Sequence, residues 1–84
     1  MTPDEIVLRA QLTGQERAVF LFLARHKMAT IDEIVDHLYG NRADGGPLTA
    51  HTAARVILHR MRKRVAAYVR IEPEKFYTYQ PLPR

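Results

Sequence analysis

The side chains that most often carry chemistry are sparse in this chain of 84 residues. It has no cysteine and no serine. This excludes disulfides, thiolate metal sites, and catalysis by a cysteine or serine nucleophile. Four histidines remain as candidate metal ligands: His26, His37, His51 and His59. No two of them are four residues apart, the spacing that places two ligands on one helix face. We therefore expect no metal, no cofactor and no enzymatic activity.

Two other patterns in the sequence have features of a catalytic or phosphate-binding site. Asp32 and Asp36 lie four residues apart, as an acid/base pair on a helix could, but like charges at this spacing are more typical of a solvated face. The glycines of "DGGP" do not stand between a strand and a helix, as those of a phosphate-binding loop would. Neither pattern indicates catalysis.

Positive charge is the most concentrated chemistry in the sequence. Residues 1–44 carry five Lys/Arg and seven Asp/Glu, whereas residues 45–71 carry six Lys/Arg and no acid. The segment "ARVILHRMRKRV", residues 54–65, holds five of these six cations and one histidine. Because a surface that is charged only for solubility usually mixes both signs, this sorting predicts a polyanionic partner, most simply nucleic acid.

Helix-start signals divide the first half of the chain into elements. The capping-box spacing, Thr followed three residues later by Glu, begins at Thr2, Thr13 and Thr30. These signals predict an N-terminal helix within 1–11, a helix over about 14–26 and a short third helix, with "HKMAT" between the last two as a turn or brief extended segment. Apolar residues at helical spacing predict the buried faces of the second and third helices: Val19, Phe20, Leu23, Ala24, Ile31, Ile34, Val35 and Leu38.

The second half of the chain begins with a loop and continues into the basic helix. Residues 40–48, "GNRADGGPL", are typical of a surface loop, and Thr49 opens a helix within about 50–68 that ends near Val65 or Tyr68. The β-prone runs on either side of "PEK" predict a hairpin over 69–80, followed by a tail at 81–84.

This order of elements predicts one mainly α-helical domain with a small β-hairpin over residues 1–84. The helical core would span 12–68, preceded by the extra N-terminal helix. A short helix, a loop, a longer basic helix and a hairpin are the elements of a winged helix-turn-helix, with three core helices and a C-terminal wing.

The basic helix has two predicted faces. Ala54, Leu58, Met61, Val65 and Tyr68 fall on one side and are expected in the core. The other side and its shoulders carry the candidate DNA contacts: Thr52, Arg55, His59, Arg60, Arg62, Lys63 and Arg64. We predict that Arg55 and His59 contact base edges in the major groove, and that Arg62, Lys63 and Arg64 bind phosphates. His51 is a further candidate as a helix cap or phosphate contact.

Solubility and membrane binding are two other roles that a cationic helix can have. Its charges could serve solubility, and "RKR" near a helix C-terminus also complements the helix dipole. A helix lying on a membrane needs its apolar face for lipid, but here the core needs that face. No stretch approaches the roughly 20 apolar residues of a membrane span, and "MTPDEIV" lacks the basic start of a secretory signal. We therefore expect a cytoplasmic protein without a membrane partner.

The segments "LTGQERAVFLFLARHKMATIDEIVDHLYG" and "HTAARVILHRMRKRV" resemble the winged-helix DNA-binding domain of OmpR/PhoB-type response regulators. The resemblance covers about residues 12–80 and implies a sequence-specific regulator of transcription, cellular or from a phage, that binds double-stranded DNA and could act as a dimer. It places Thr52, Arg55, His59 and Arg62 toward DNA. The loop at 40–48 would then be the one that contacts RNA polymerase in some relatives, and 69–80 would be the wing.

The sequence departs from that family at both ends of the match. No receiver domain precedes the motif, so we expect no switching by phosphorylation, and residues 1–11 look helical where the family has a four-stranded sheet. The wing lacks the usual Gly-x-Gly-Tyr and carries Glu72 and Glu74. Arg70 and Lys75 are therefore its only cationic candidates for DNA contact.

These departures favour one rival from a different functional class. A winged helix could bind another regulator or RNA polymerase without reading DNA itself, and both the acidic wing tip and the missing receiver domain suit that role. The extra N-terminal helix is a candidate surface for a homodimer in either case.

Overall fold

Four helices and a three-stranded antiparallel sheet form the part of the chain that the computed structural model describes, residues 1–40, 49–73 and 76–82. In chain order the elements are α1 (Pro3–Ala10), α2 (Gly14–His26), β1 (Met28–Ala29), α3 (Ile31–Tyr39), α4 (Ala50–Val65), β2 (Val69–Pro73) and β3 (Tyr77–Pro81). A mainly α-helical chain with a small β part is thus confirmed. The predicted loop at 41–48 and the wing-tip residues Glu74 and Lys75 lie outside the described residues.

The basic helix ends at the first of its two predicted ends. The sequence indicated an end near Val65 or Tyr68, and α4 ends at Val65. The three residues after it form a turn in which the Tyr68 N–H donates to the Val65 carbonyl at 2.8 Å. This turn reverses the chain, so that β2 starts at Val69 and runs back along the end of the helix.

The hairpin is joined by a third strand. The brief segment before α3 is extended, as one of the two expected alternatives, and forms β1, which pairs with β3 through Met28 opposite Thr78 and Ala29 opposite Tyr77. The strand order is therefore β1-β3-β2, with β3 in the centre. As a result β2 is an outer strand of the sheet.

The predicted faces of α2 and α4 are the ones that are buried. Val19, Phe20, Leu23 and Ala24 of α2 and Ala54, Leu58, Met61 and Val65 of α4 all lie in one core. On α3 only Ile34 of the predicted stripe is fully buried, and the other three members, like Tyr68, are partly buried against that core. The sequence missed Tyr39, which is 4 % exposed and accepts a 3.3 Å hydrogen bond from the Gln15 amide.

Tyr79 fixes the sheet to α2. Its ring meets Phe20 edge-on, with centroids 5.6 Å apart, and its backbone N–H donates to the Lys27 carbonyl at 2.8 Å. The Lys27 ammonium lies 5.2 Å from the centre of the same ring. Burial raises the pKa of the Tyr79 phenol above its usual value, so this side chain stays neutral and serves packing.

The three predicted capping boxes have different outcomes. At Thr30 the box is complete: the hydroxyl accepts from the Glu33 N–H at 3.1 Å, and the Glu33 carboxylate accepts from the Thr30 N–H at 2.9 Å. Thr2 accepts from the N–H of the glutamate three residues on. Thr13 is the N-cap residue of α2, as predicted, but its side chain makes no cap hydrogen bond. The predicted box is therefore absent there, and Glu16 instead contacts Arg64 of α4.

This difference predicts unequal effects of two matched substitutions. Thr30→Ala removes a formed cap and should lower the free energy of unfolding by about 1 kcal/mol. Thr13→Ala removes no cap bond and should change it by less than about 0.5 kcal/mol. Urea denaturation followed by circular dichroism measures both, and equal losses would contradict the assignment.

Candidate nucleic-acid interface

The core orients α4 so that its cations face solvent. Ala54, Leu58 and Met61 are almost fully buried, which fixes the rotation of the helix about its axis. The side chains of α4 that remain exposed are His51, Thr52, Arg55, Val56, His59, Arg60, Lys63 and Arg64, with Arg62 half-buried. The predicted contact residues on this helix therefore lie outside the core.

Five of these residues form one continuous surface, which we call the basic stripe: Thr52, Arg55, His59, Arg62 and Lys63. Successive members are one to four residues apart, so they follow one side of the helix for three turns. Within the described residues, none of their cationic groups lies in a salt bridge. Arg55, Arg62 and Lys63 therefore give the stripe uncompensated positive charge, which favours the binding of phosphates.

No family model, curated protein or solved structure matches this chain. The functional argument therefore rests on the surface of α4 and on the elements that hold it.

Three of the other predicted contact residues have carboxylate partners within the chain. The Arg64 Nε lies 3.3 Å from Glu16 Oε1, the Arg70 Nε lies 3.0 Å from Glu72 Oε1, and the His51 Nε2 lies 2.6 Å from Asp32 Oδ1. A phosphate would have to compete with each of these carboxylates. Arg60 is exposed and has no ion pair to another described residue. Lys75 lies outside the described residues.

The contact between Arg64 and Glu16 connects α4 to α2. The Glu16 side chain is only 21 % exposed, and its buried Oε1 has no hydrogen-bond donor among the described residues, so the contact is one of charges rather than a hydrogen bond. Leaving this carboxylate without its cation would be unfavourable. We therefore expect Arg64 to keep its contact with Glu16 when the protein is free. That Arg64 contacts a phosphate stays a prediction.

Val56 is an exposed residue of this face that the sequence reasoning missed. It is 44 % exposed and lies four residues after Thr52 and three before His59. An apolar side chain at this position can contact the methyl group of thymine in a major groove. Its position on the helical wheel, on the side away from the core, is the signal in the sequence that identifies it as exposed.

The four histidines have three different surroundings. The rings of His26 and His37 both lie against Phe22, each with a centroid distance of 4.4 Å. His51 faces Asp32, and His59 belongs to the basic stripe. Over residues 1–40, 49–73 and 76–82, no group of three His, Asp or Glu side chains could hold a metal ion.

Over the same ranges no helix has the length and apolarity that a membrane crossing needs.

Proposed function

We propose that this protein is a winged helix-turn-helix domain that binds double-stranded DNA and regulates transcription by occupying its site. The observation that carries the proposal is the basic stripe: one side of α4 is fixed in the core, and the opposite side bears cations without acidic partners among the described residues. The short α3 before α4 and the hairpin of β2 and β3 after it, joined in the sheet by β1, are consistent with this class of fold.

The mechanism assigns different roles to different parts of the stripe. The major groove of B-form DNA is wide enough for one helix, and Arg55 and His59 would lie over base edges there, where an arginine can bind guanine with two hydrogen bonds. Val56, beside them, would meet a thymine methyl. Arg62 and Lys63 would bind phosphates, which requires only charge and reach. Phosphate contacts would supply affinity, and base contacts would supply sequence preference.

Salt dependence tests this proposal directly. Each phosphate neutralised on a duplex releases counterions, so the logarithm of the binding constant falls by about 0.9 per contact for each unit of log salt. With Arg62 and Lys63 each on a phosphate, the slope should be about −2 or steeper. Fluorescence anisotropy with a labelled pool of random duplexes measures it, and no binding at low salt would overturn the proposal.

Single substitutions should separate base contacts from phosphate contacts. Arg55→Ala should relax the preference at one base pair by about 1 to 3 kcal/mol. Lys63→Ala should weaken all duplexes alike and reduce the salt slope by about one unit. Selection of bound fragments from random DNA, followed by titrations of the winners, measures both effects. If the two variants changed affinity and preference in the same way, the division of roles would be wrong.

A second candidate function is a protein-binding winged helix that contacts a regulator or RNA polymerase. The pairing of Arg70 with Glu72 favours it, because the described part of β2 then carries no net charge toward DNA. A homodimer would suit either function, and α1 leaves Leu8 78 % exposed on the surface. The salt titration separates the two functions, since a domain that binds only proteins would show no duplex binding.

A further inference from the structure

An open groove of about 380 Å³ lies between the C-terminal half of α4 and β2. Its volume is within the range of about 300 to 1,000 Å³ that sites for small molecules have. One face of α4, with the spacing i, i+3, i+4 and i+7, forms its helical side: His59, Arg62, Lys63 and Ala66. Leu82 also lines the groove, and its N–H donates to the Tyr68 carbonyl at 3.2 Å, which holds it in place.

The groove offers a ligand side chains rather than backbone groups. Val69 and Ile71 lie on its strand side, but they are only 2 % and 3 % exposed, so the backbone of the strand is covered there. The accessible surface belongs to the helical face, to Arg70 and to Leu82. A ligand would therefore be recognised by charge and by apolar contact.

The positive charge in this groove lacks a counter-ion. Among the described residues no carboxylate lines the groove, and Arg70 is already paired with Glu72. Arg62 and Lys63 form no salt bridge with another described residue. Arg62 is also half-buried, and a cation partly removed from water is stabilised by an anion held beside it. The groove therefore favours a negatively charged ligand.

An apolar surface lies beside these cations. Leu82 is 41 % exposed, and Ala66 is exposed as well. A single exposed leucine is ordinary on a protein surface, but this one lines the same groove as Arg62 and Lys63. The hydrocarbon parts of arginine and lysine side chains add apolar area below their charges. A molecule with one anionic end and one apolar end would contact both kinds of surface at once.

We propose that this groove binds a small organic anion in which a carboxylate is joined to an aromatic ring. The carboxylate would accept charge-assisted hydrogen bonds from Arg62 and Lys63. The ring would pack on Leu82 and Ala66, and Arg70 beside them favours an aromatic group because a guanidinium stacks on aromatic faces. A rigid ring also loses less conformational freedom on binding than a flexible chain does.

The bound anion would compete with DNA. Its carboxylate would occupy Arg62 and Lys63, the two cations assigned to phosphates in the proposed function. An aromatic carboxylate would therefore lower the affinity of the protein for duplex DNA. This consequence rests on the proposed DNA binding, whereas the binding of the anion itself does not.

Three related probes test the two ends of the ligand. Naphthoate has both ends, naphthamide keeps the ring without the charge, and acetate keeps the carboxylate without the ring. Each is titrated into the whole chain at about 150 mM salt, where the Debye length is about 8 Å. Naphthoate should shift the amide resonances of Ala66 and Leu82, and the other two probes should bind at least about tenfold more weakly. Absence of naphthoate binding, or equal binding of either control probe, would overturn the inference.

Two double variants with the same change in net charge test the cations. Arg62→Gln with Lys63→Gln should weaken naphthoate binding at least about tenfold, whereas Arg17→Gln with Arg25→Gln on α2 should leave it within about twofold. Lys63→Gln alone, at an exposed position, serves if the first pair disturbs folding, with an expected loss of about threefold. Equal losses in the α4 and α2 variants would mean that overall charge attracts the anion, and the site would be wrong.

Two exposed leucines test the apolar contact. Leu82→Ala should weaken naphthoate binding at least about threefold, whereas Leu8→Ala should leave it unchanged, since Leu8 lies on α1 and does not line the groove. The same effect of both substitutions would contradict the proposed place of the ring.

Competition with DNA is measured in separate titrations. Naphthoate at about ten times its dissociation constant should weaken duplex binding about tenfold, and naphthamide at the same concentration should not. Unchanged duplex affinity with naphthoate bound would overturn the competition. Because the titrations of the anion contain no DNA, a failure to bind duplexes would count against the proposed function and not against the groove.

Discussion

Replacing Phe20 with alanine should destabilise the folded protein by about 3 to 5 kcal/mol. The side chain is completely buried in the centre of the core, and its ring makes the edge-on contact with Tyr79. The substitution would lose the buried apolar area and leave a cavity where α2 meets the sheet. Because small domains are stable by only about 5 to 15 kcal/mol, a loss of this size is a large part of the total.

Urea denaturation followed by circular dichroism measures the effect, and Leu8→Ala is the matched control. Leu8 is also a large apolar residue on a helix, but most of its surface is already exposed. Its truncation should change the free energy of unfolding by less than about 0.5 kcal/mol. If the Phe20 variant and the unchanged protein unfolded at the same urea concentration, the contact between α2 and β3 would not be a main source of the protein's stability.

The sequence was sufficient for the parts of the fold that depend on local periodicity. In α2 and α4 the apolar residues recur every three or four positions, and a helix with such a stripe has one way to bury it. The rotation of α4 followed from Leu58, Met61 and Val65, which are buried as predicted. The placement of Arg55 and His59 on the exposed side followed from the same rotation.

The parts that could not be predicted depend on contacts distant in sequence. Glu16 has the spacing of a capping residue after Thr13, but α4 packs close enough to bring Arg64 to its carboxylate. The pairing of β1 with β3 depends on where the hairpin packs against the helices. A strand of two residues, Met28 and Ala29, is too short for its alternation of side chains to predict that pairing. Similarly, the pairing of Arg70 with Glu72 depends on β2 being an outer strand with both side chains on one face.

Reversing two charges of the basic stripe should abolish most DNA binding. Arg55→Glu with Lys63→Glu should lower the affinity for duplex DNA by at least about a hundredfold, because two charge-assisted contacts to phosphate or base are lost and two repulsions are added. Both side chains are exposed and have no salt bridge to another described residue, so their replacement should leave the core intact. Anisotropy titrations at fixed salt measure the loss.

The informative control is the same reversal on another helix. Arg17→Glu with Arg25→Glu changes two exposed arginines of α2 and takes the formal net charge from +4 to 0, as the α4 pair also does. If DNA responds to the basic stripe, the α2 variant should lose less than about tenfold, because charges beyond a Debye length of the bound phosphates contribute little. Equal losses in the two variants would mean that the overall charge attracts DNA, and the assignment of binding to α4 would be overturned.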